Sequence, residues 1–148
     1  MTVHSDSLPN KNPNAAYPAK PKDSSSLIIL KKDKLGVQVL RGKRGRKAVF
    51  SNAYVFAGGK VEPADSLPYP ASELNPDIAM RISSDTAKAK SFAMAAVREA
   101  YEETGFLLGA SGDLGETGNE SWDEIRSMNL APNLEKMHYV GHAITPAS

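Results

Sequence analysis

The sequence contains no cysteine. Disulfide staples, thiolate metal sites and cysteine nucleophiles are therefore excluded, and the composition fits a reducing cytoplasm. Long apolar runs are also missing: no stretch approaches the roughly 20 residues that a membrane-crossing helix needs. The beginning, Met1-Thr2-Val3-His4-Ser5-Asp6, lacks the basic and apolar regions of a signal peptide. No internal repeat is present. A membrane partner is not expected.

What is present suits one domain. The chain has 148 residues and is 41% hydrophobic, enough for a core. The net charge of +1 is unevenly spread: residues 1–50 carry 11 Lys/Arg against 3 Asp/Glu, and residues 51–148 carry 7 against 14. Three readings fit this split. A basic half can bind nucleic acid, carboxylates can hold metal beside cations that hold phosphate, or a basic tail and hairpin can simply accompany solvated faces. Nucleic acid is not the expected partner.

Residues 1–25 are rich in Pro, Asn, Ser and Lys without a period, and read as a disordered leader. Order is expected from about Ser26. Leu27-Ile28-Ile29-Leu30 predicts a buried strand, Lys31–Lys34 a turn and Val37–Arg41 a second strand, giving a hairpin. The loop Arg41–Lys47 is basic. Val49-Phe50 and Tyr54-Val55-Phe56 are strand-like, and Gly58-Gly59 is expected to break the pattern before Lys60-Val61-Glu62. Residues 63–85 contain four prolines and predict a long irregular loop or insertion.

The strongest helix signal covers Thr86–Thr104, with Asp85 as N-cap and Gly105 as left-handed C-terminal cap. Phe106-Leu107-Leu108 predicts a strand, and 109–120 a flexible, glycine-rich stretch. Ser121 would cap a short helix over Trp122–Met128, and Met137–Ile144 would be a final strand. On that strand His138 and His142 would point to one side, as surface or core histidines. Trp122 reads as a packing residue.

The chemistry lies in Arg98-Glu99-Ala100-Tyr101-Glu102-Glu103. On a helix Arg98 neighbours Glu102 at i,i+4, and Glu99 neighbours Glu102 and Glu103 at i,i+3 and i,i+4. Three carboxylates on adjoining faces repel one another and call for a cation; Mg²⁺ and Mn²⁺ prefer such oxygen ligands. Arg98 can brace one carboxylate by charge-assisted hydrogen bonds. The spacing by itself is also that of an ordinary solvated helix face.

Together with Gly58-Gly59 upstream, these residues resemble the Nudix box: G, five residues, E, seven residues, R-E, apolar, any, E-E, any, G, apolar. Gly59 matches the first glycine, Arg98-Glu99 the R-E pair, Ala100 the apolar position, Glu102-Glu103 the E-E pair, Gly105 the second glycine and Phe106 the last position. Asp65 stands where the family has Glu, and the 32 residues 66–97 separate it from Arg98 where the pattern has seven. Residues 54–65 and the insertion are similar to a subset resembling the coenzyme A diphosphatases, with Ala57 where Pro is usual and Asn52 where a glycine would be expected.

The resemblance implies an α+β fold, a Nudix-type α/β/α sandwich with a mixed sheet. The Nudix domain would span 26–148, with the insertion at about 66–90. After Thr104 there is room for one short helix and about two strands, so the sheet is expected to be incomplete at its C-terminal end; a homo-oligomer is one way to complete it. The implied activity is metal-dependent hydrolysis of a nucleoside diphosphate linked to another moiety, with coenzyme A or acyl-coenzyme A as leading substrate. The alternative is an inactive remnant or nucleotide-binding module. By this resemblance Glu99, Glu102 and Glu103 would bind Mg²⁺ or Mn²⁺, and Glu99, Glu102 and Arg98 would form the catalytic set. Gly58 and Gly59 would approach the substrate, and Arg41 and Arg44 would neutralise phosphate. Glu62 and Asp65 would either add ligands or cap their loop.

Overall fold

The computed structural model describes residues 21–43 and 53–144. Most of the expected leader, Arg44 with the rest of the basic loop, and Val49-Phe50 lie outside the described residues. Within them the first strand, β1 (Ser24–Leu27), starts two residues before Ser26. The apolar run 27–30 is not one strand. It bridges β1 and β2 (Leu30–Asp33), because β1 is committed elsewhere in the fold.

The hairpin is real but shifted. β2 pairs antiparallel with β3 (Gly36–Val39) around a turn at Lys34-Leu35. Asp33 Oδ1 accepts from the Leu35 N–H at 2.8 Å, and Gly36 takes φ +118, a value that L side chains rarely adopt. Leu30, Leu35 and Val37 are exposed on this hairpin. Short strands β4 (Gly42–Lys43) and β5 (Tyr54–Val55) pair next.

Gly58-Gly59 does not break the strand pattern. Both lie inside β6 (Ala57–Lys60), which pairs antiparallel with β1 from Ser24↔Lys60 to Leu27↔Ala57. A side chain at either position would collide. The Ser25 carbonyl and Ser26 occupy the space at Gly58, and the Glu99 carboxylate occupies it at Gly59. Glycine here is a packing requirement that lets strand and helix approach closely. The pattern does not resume at Val61-Glu62; β6 ends at Lys60.

The proline-rich stretch is more ordered than its composition suggests. A 3-10 turn spans Pro63–Ser66, and α1 spans Pro76–Ile82. Asn75 caps α1, accepting from the Asp77 N–H at 2.9 Å, and Pro76 occupies the first turn, where a missing N–H is harmless. A proline read as a loop marker is in fact a helix start.

The main helix, α2, spans Thr86–Thr104 as expected. Asp85 Oδ1 accepts from the N–H groups of Ala87 and Lys88, and Gly105 closes the helix at φ +71 with its N–H on the Tyr101 carbonyl at 2.8 Å. Ala89, Ala93, Met94 and Val97 face a core completed by Leu114, Trp122, Ile125 and Leu134. The small alanines keep α2 close enough to pack against β1 and β6.

Beyond α2, Phe106–Leu108 is not a strand; β7 follows at Gly109–Ser111 and pairs with β8 (Leu130–Pro132). Helix α3 spans Glu120–Ser127. Its cap is Asn119, not Ser121. Residues 137–144 contain no strand, and their backbone joins no ladder among the described residues. The class is α+β. Among the described residues the strands form four two-stranded antiparallel ladders, with a parallel bridge at Ser72↔Asn133, rather than one mixed sheet. No helix among them is long and apolar enough to cross a membrane.

Candidate functional site

Arg98 is the centre of the site. It lies two-thirds of the way along α2 and is 2% exposed, against a fully buried Asp65 from the 3-10 turn. Its Nε donates to Asp65 Oδ1 at 2.8 Å and its Nη2 to Asp65 Oδ2 at 3.1 Å, a two-pronged pair. Nη2 also donates to the Lys60 carbonyl at the end of β6, at 2.9 Å. Nη1 donates to Glu99 Oε1 at 3.0 Å and to both oxygens of Glu102 at 3.1 Å. All five guanidinium N–H groups thus have acceptors. Burial alone would lower the pKa of Arg98, but the hydrogen bonds and charges of Asp65, then Glu102, hold it above its ordinary value.

Asp65 is saturated in turn. Oδ1 accepts from Arg98 and from Trp122 Nε1 at 3.1 Å; Oδ2 accepts from Arg98 and from the Glu62 N–H at 2.8 Å. Of the two roles open to Asp65, the geometry fits loop capping and support of Arg98. A carboxylate accepting four hydrogen bonds has no lone pair left for a metal. A carboxylate shorter by one methylene than the family's Glu still spans to Arg98 in this setting.

The three glutamates differ. Glu99 lies over Gly59, in the space a side chain there would fill, with Oε1 on Arg98. Its pKa is raised, by burial first; Arg98 opposes the shift, while Glu102 and Glu103 add to it. Glu102 is tied to Arg98 and accepts from Ser121 Oγ at 2.6 Å. Glu103 Oε2 accepts from the Gly58 N–H at 3.1 Å, which links the helix to β6 at the paired glycines.

The structure brings Arg98, Glu99, Glu102, Glu103, Gly58 and Gly59 into one neighbourhood. Arg41 stands apart from these contacts: its guanidinium stacks over the Tyr54 ring at 5.4 Å. Arg44 is outside the described residues. His138 and His142 take no part, although Tyr139 Oη and His142 Nδ1 lie 2.8 Å apart. Ser121 and Trp122 were missed as site residues. Nothing in their spacing signals them, because α3 reaches the site only through tertiary packing.

The donor set can be tested for its fit to a divalent cation. The three glutamate carboxylates do not converge on one point, nor do any three acidic or histidine side chains among the described residues. The chemistry of the set nevertheless fits a hard cation. All its donors are carboxylate oxygens, Arg98 engages only Oε1 of Glu99, and Gly58 engages only Oε2 of Glu103. The Gly59 cradle holds Glu99 against the strand, and a charge-neutralising ion would offset the burial and repulsion that raise its pKa. A cavity of about 1160 Å³ lies elsewhere, between β1, α2 and residues 136–144, and none of these carboxylates lines it.

No protein-family model matches the chain, and no curated protein matches it in sequence. Among solved structures it is similar to the crystal structure of a NUDIX hydrolase from Alicyclobacillus acidocaldarius, at 19% identity with a TM-score of 0.60. The alignment covers 84% of this chain and 62% of that one, so this chain spans less than two thirds of the neighbour's length. What the likeness establishes is the architecture: the chain has a Nudix-like α+β fold, with α2 and its Arg98-centred carboxylates against the glycine-bearing strand β6.

Proposed function

We propose that the chain is a Nudix-type hydrolase that uses Mg²⁺ or Mn²⁺ to cleave the diphosphate bond of a nucleoside diphosphate linked to another moiety. The observation that carries this reading is the buried Arg98, which orients Glu99 and Glu102 while Glu103 is tied to Gly58 on the facing strand. A buried charge network adds little net stability, and networks with perturbed ionisable groups concentrate at functional sites.

Glu99, Glu102 and Glu103 would hold the cation. When bound, it would polarise the phosphoryl oxygens and make the attacking water more acidic. The protein's own residues supply the rest. Arg98 restricts how Glu99 and Glu102 turn. Gly58 and Gly59 leave room on β6 for Glu99 to lie against the strand and for Glu103 to accept from the Gly58 N–H, which holds both carboxylates in place. Glu99 Oε2, the oxygen that no protein donor reaches among the described residues, is the atom placed to take a proton from water. Arg41 and Arg44 would neutralise charge on the leaving phosphate.

Coenzyme A or an acyl derivative is the proposed substrate, on the resemblance of residues 54–65 and of the insertion. The cysteine-free sequence supports a cytoplasmic location. A second reading, nucleotide binding without turnover, is favoured by the failure of the three carboxylates to converge.

The test is direct. Purified chain with Mg²⁺ or Mn²⁺ is offered coenzyme A, NADH, ADP-ribose and nucleoside triphosphates, and phosphate-containing products are measured. Turnover that Glu102→Gln abolishes, with helix content unchanged, supports hydrolysis. Binding of one of these compounds without any product supports the second reading.

A further inference from the structure

Helix α3 lies outside every residue named so far as catalytic, yet it reaches the site twice through adjacent residues. Ser121 Oγ donates to Glu102 Oε1 at 2.6 Å, and Trp122 Nε1 donates to Asp65 Oδ1 at 3.1 Å. Arg98 joins the same two carboxylates from the other side. The result is a closed circuit: Asp65, Arg98, Glu102, Ser121, Trp122 and back to Asp65. In a closed circuit no member can turn alone. If Glu102 swings away it breaks bonds to both Arg98 and Ser121.

The circuit is anchored on the core. Trp122 is fully buried among Met94, Val97, Leu114 and Leu134, so the backbone that carries Ser121 is fixed by packing. The hydroxyl is not required to cap α3. Asn119 Oδ1 does that, accepting from the Trp122 N–H at 2.9 Å. Ser121 therefore has a contact to Glu102 that the helix itself does not explain. That contact occupies Oε1, while among the described residues Oε2 receives only Arg98 Nη1. Glu102 thus keeps acceptor capacity mainly on Oε2.

We propose that Ser121 is a positioning residue, whose hydroxyl fixes the rotation of the Glu102 carboxylate so that Oε2 is the oxygen presented to a divalent cation. The proposal rests on the metal-dependent reading above. It concerns a residue outside the Arg98–Phe106 segment, and acts through Glu102 alone. Partners one hydrogen bond removed from metal ligands commonly set affinity by about 10- to 100-fold.

The experiment uses the full chain and Mn²⁺ alone, with free ion read from its electron paramagnetic resonance signal and stability read from thermal unfolding without metal. Ser121→Ala should weaken Mn²⁺ binding by about 10-fold while the unfolding midpoint moves by no more than about 2 °C. Ser121→Thr restores the hydroxyl and should return the affinity to within about threefold of wild type, the range of ordinary surface substitutions. Glu102→Gln should weaken binding at least as much as Ser121→Ala. The proposal is overturned if Ser121→Ala binds Mn²⁺ as wild type does while Glu102→Gln does not. It is equally overturned if Ser121→Ala loses affinity only together with a large drop in midpoint that Thr fails to rescue, since the role would then be structural. If wild type and Glu102→Gln bind Mn²⁺ alike, or neither binds, the metal-dependent reading itself falls and takes the positioning role with it.

Discussion

Replacing Asp65 by Asn removes one charge and changes almost no volume, so its effect isolates the carboxylate. Asp65 accepts four hydrogen bonds: two from Arg98, one from Trp122 and one from the Glu62 backbone. An amide in the same place keeps one oxygen and turns the other acceptor into a donor. Whichever way it is oriented, its NH₂ faces two N–H groups that then lose their partner. The Arg98 guanidinium also loses a fully buried counter-ion, although Glu99 and Glu102 continue to balance part of its charge. Removing one partner of a buried pair costs about 3–5 kcal/mol. The glutamates that remain argue for the lower end, about 3 kcal/mol. Against a typical total stability of about 5–15 kcal/mol, that is a large share. Urea unfolding monitored by far-UV circular dichroism measures it, in the presence of chelator and again with Mg²⁺. The loss should already be present with chelator, because Asp65 supports Arg98 and has no lone pair left for metal. A loss under about 0.5 kcal/mol would refute the buried network, since that is the scale of an ordinary surface change. A loss appearing only with Mg²⁺ would instead make Asp65 a metal ligand. A double-mutant cycle with Arg98→Met sharpens the point: the double variant should lose less than the sum of the singles.

Three further outcomes are expected. Gly58→Ala should destabilise the chain more than Gly59→Ala in urea unfolding, by about 1–3 kcal/mol of overpacking, because Gly58 abuts the rigid β1 backbone whereas Gly59 abuts the movable Glu99 side chain. Glu99→Gln should raise stability at pH 7 without metal. The folded chain holds the Glu99 proton more tightly than the unfolded one, so the stability tied to that proton is present below the ordinary glutamate pKa and lost as pH rises through the raised value. Gln mimics the protonated form, so thermal midpoints of variant and wild type should differ at neutral pH and converge on acidification below about pH 4. Asp85→Ala should cost about 0.5–2 kcal/mol by freeing two N–H groups at the start of α2, whereas Ser121→Ala should leave α3 capped, both measured by urea unfolding.

The sequence by itself determined the elements whose signals are local. The 19-residue helix α2 was legible from end to end, because its cap, its alanines and its terminal Gly105 each act within a few residues. The gathering of Arg98, Glu99, Glu102 and Glu103 followed from helical spacing alone, and the Gly59 partner from a motif. Elements that depend on distant partners were not legible. The strand read at 27–30 split in two because β1 pairs with β6, some thirty residues away. Residues 137–144 had strand composition but no ladder to join among the described residues. Gly58-Gly59 looked like a break because nothing local shows that β1 and Glu99 fill the space above it. Only tertiary structure decided what Asp65 does. Its sequence position allowed a ligand or a cap, and burial beneath Arg98 and Trp122 consumed all its acceptors. Only packing brought Ser121 to Glu102, since no period or spacing connects a residue on α3 to one on α2. Short-range propensity and spacing therefore fixed which groups can do chemistry, and long-range burial fixed which way each carboxylate faces.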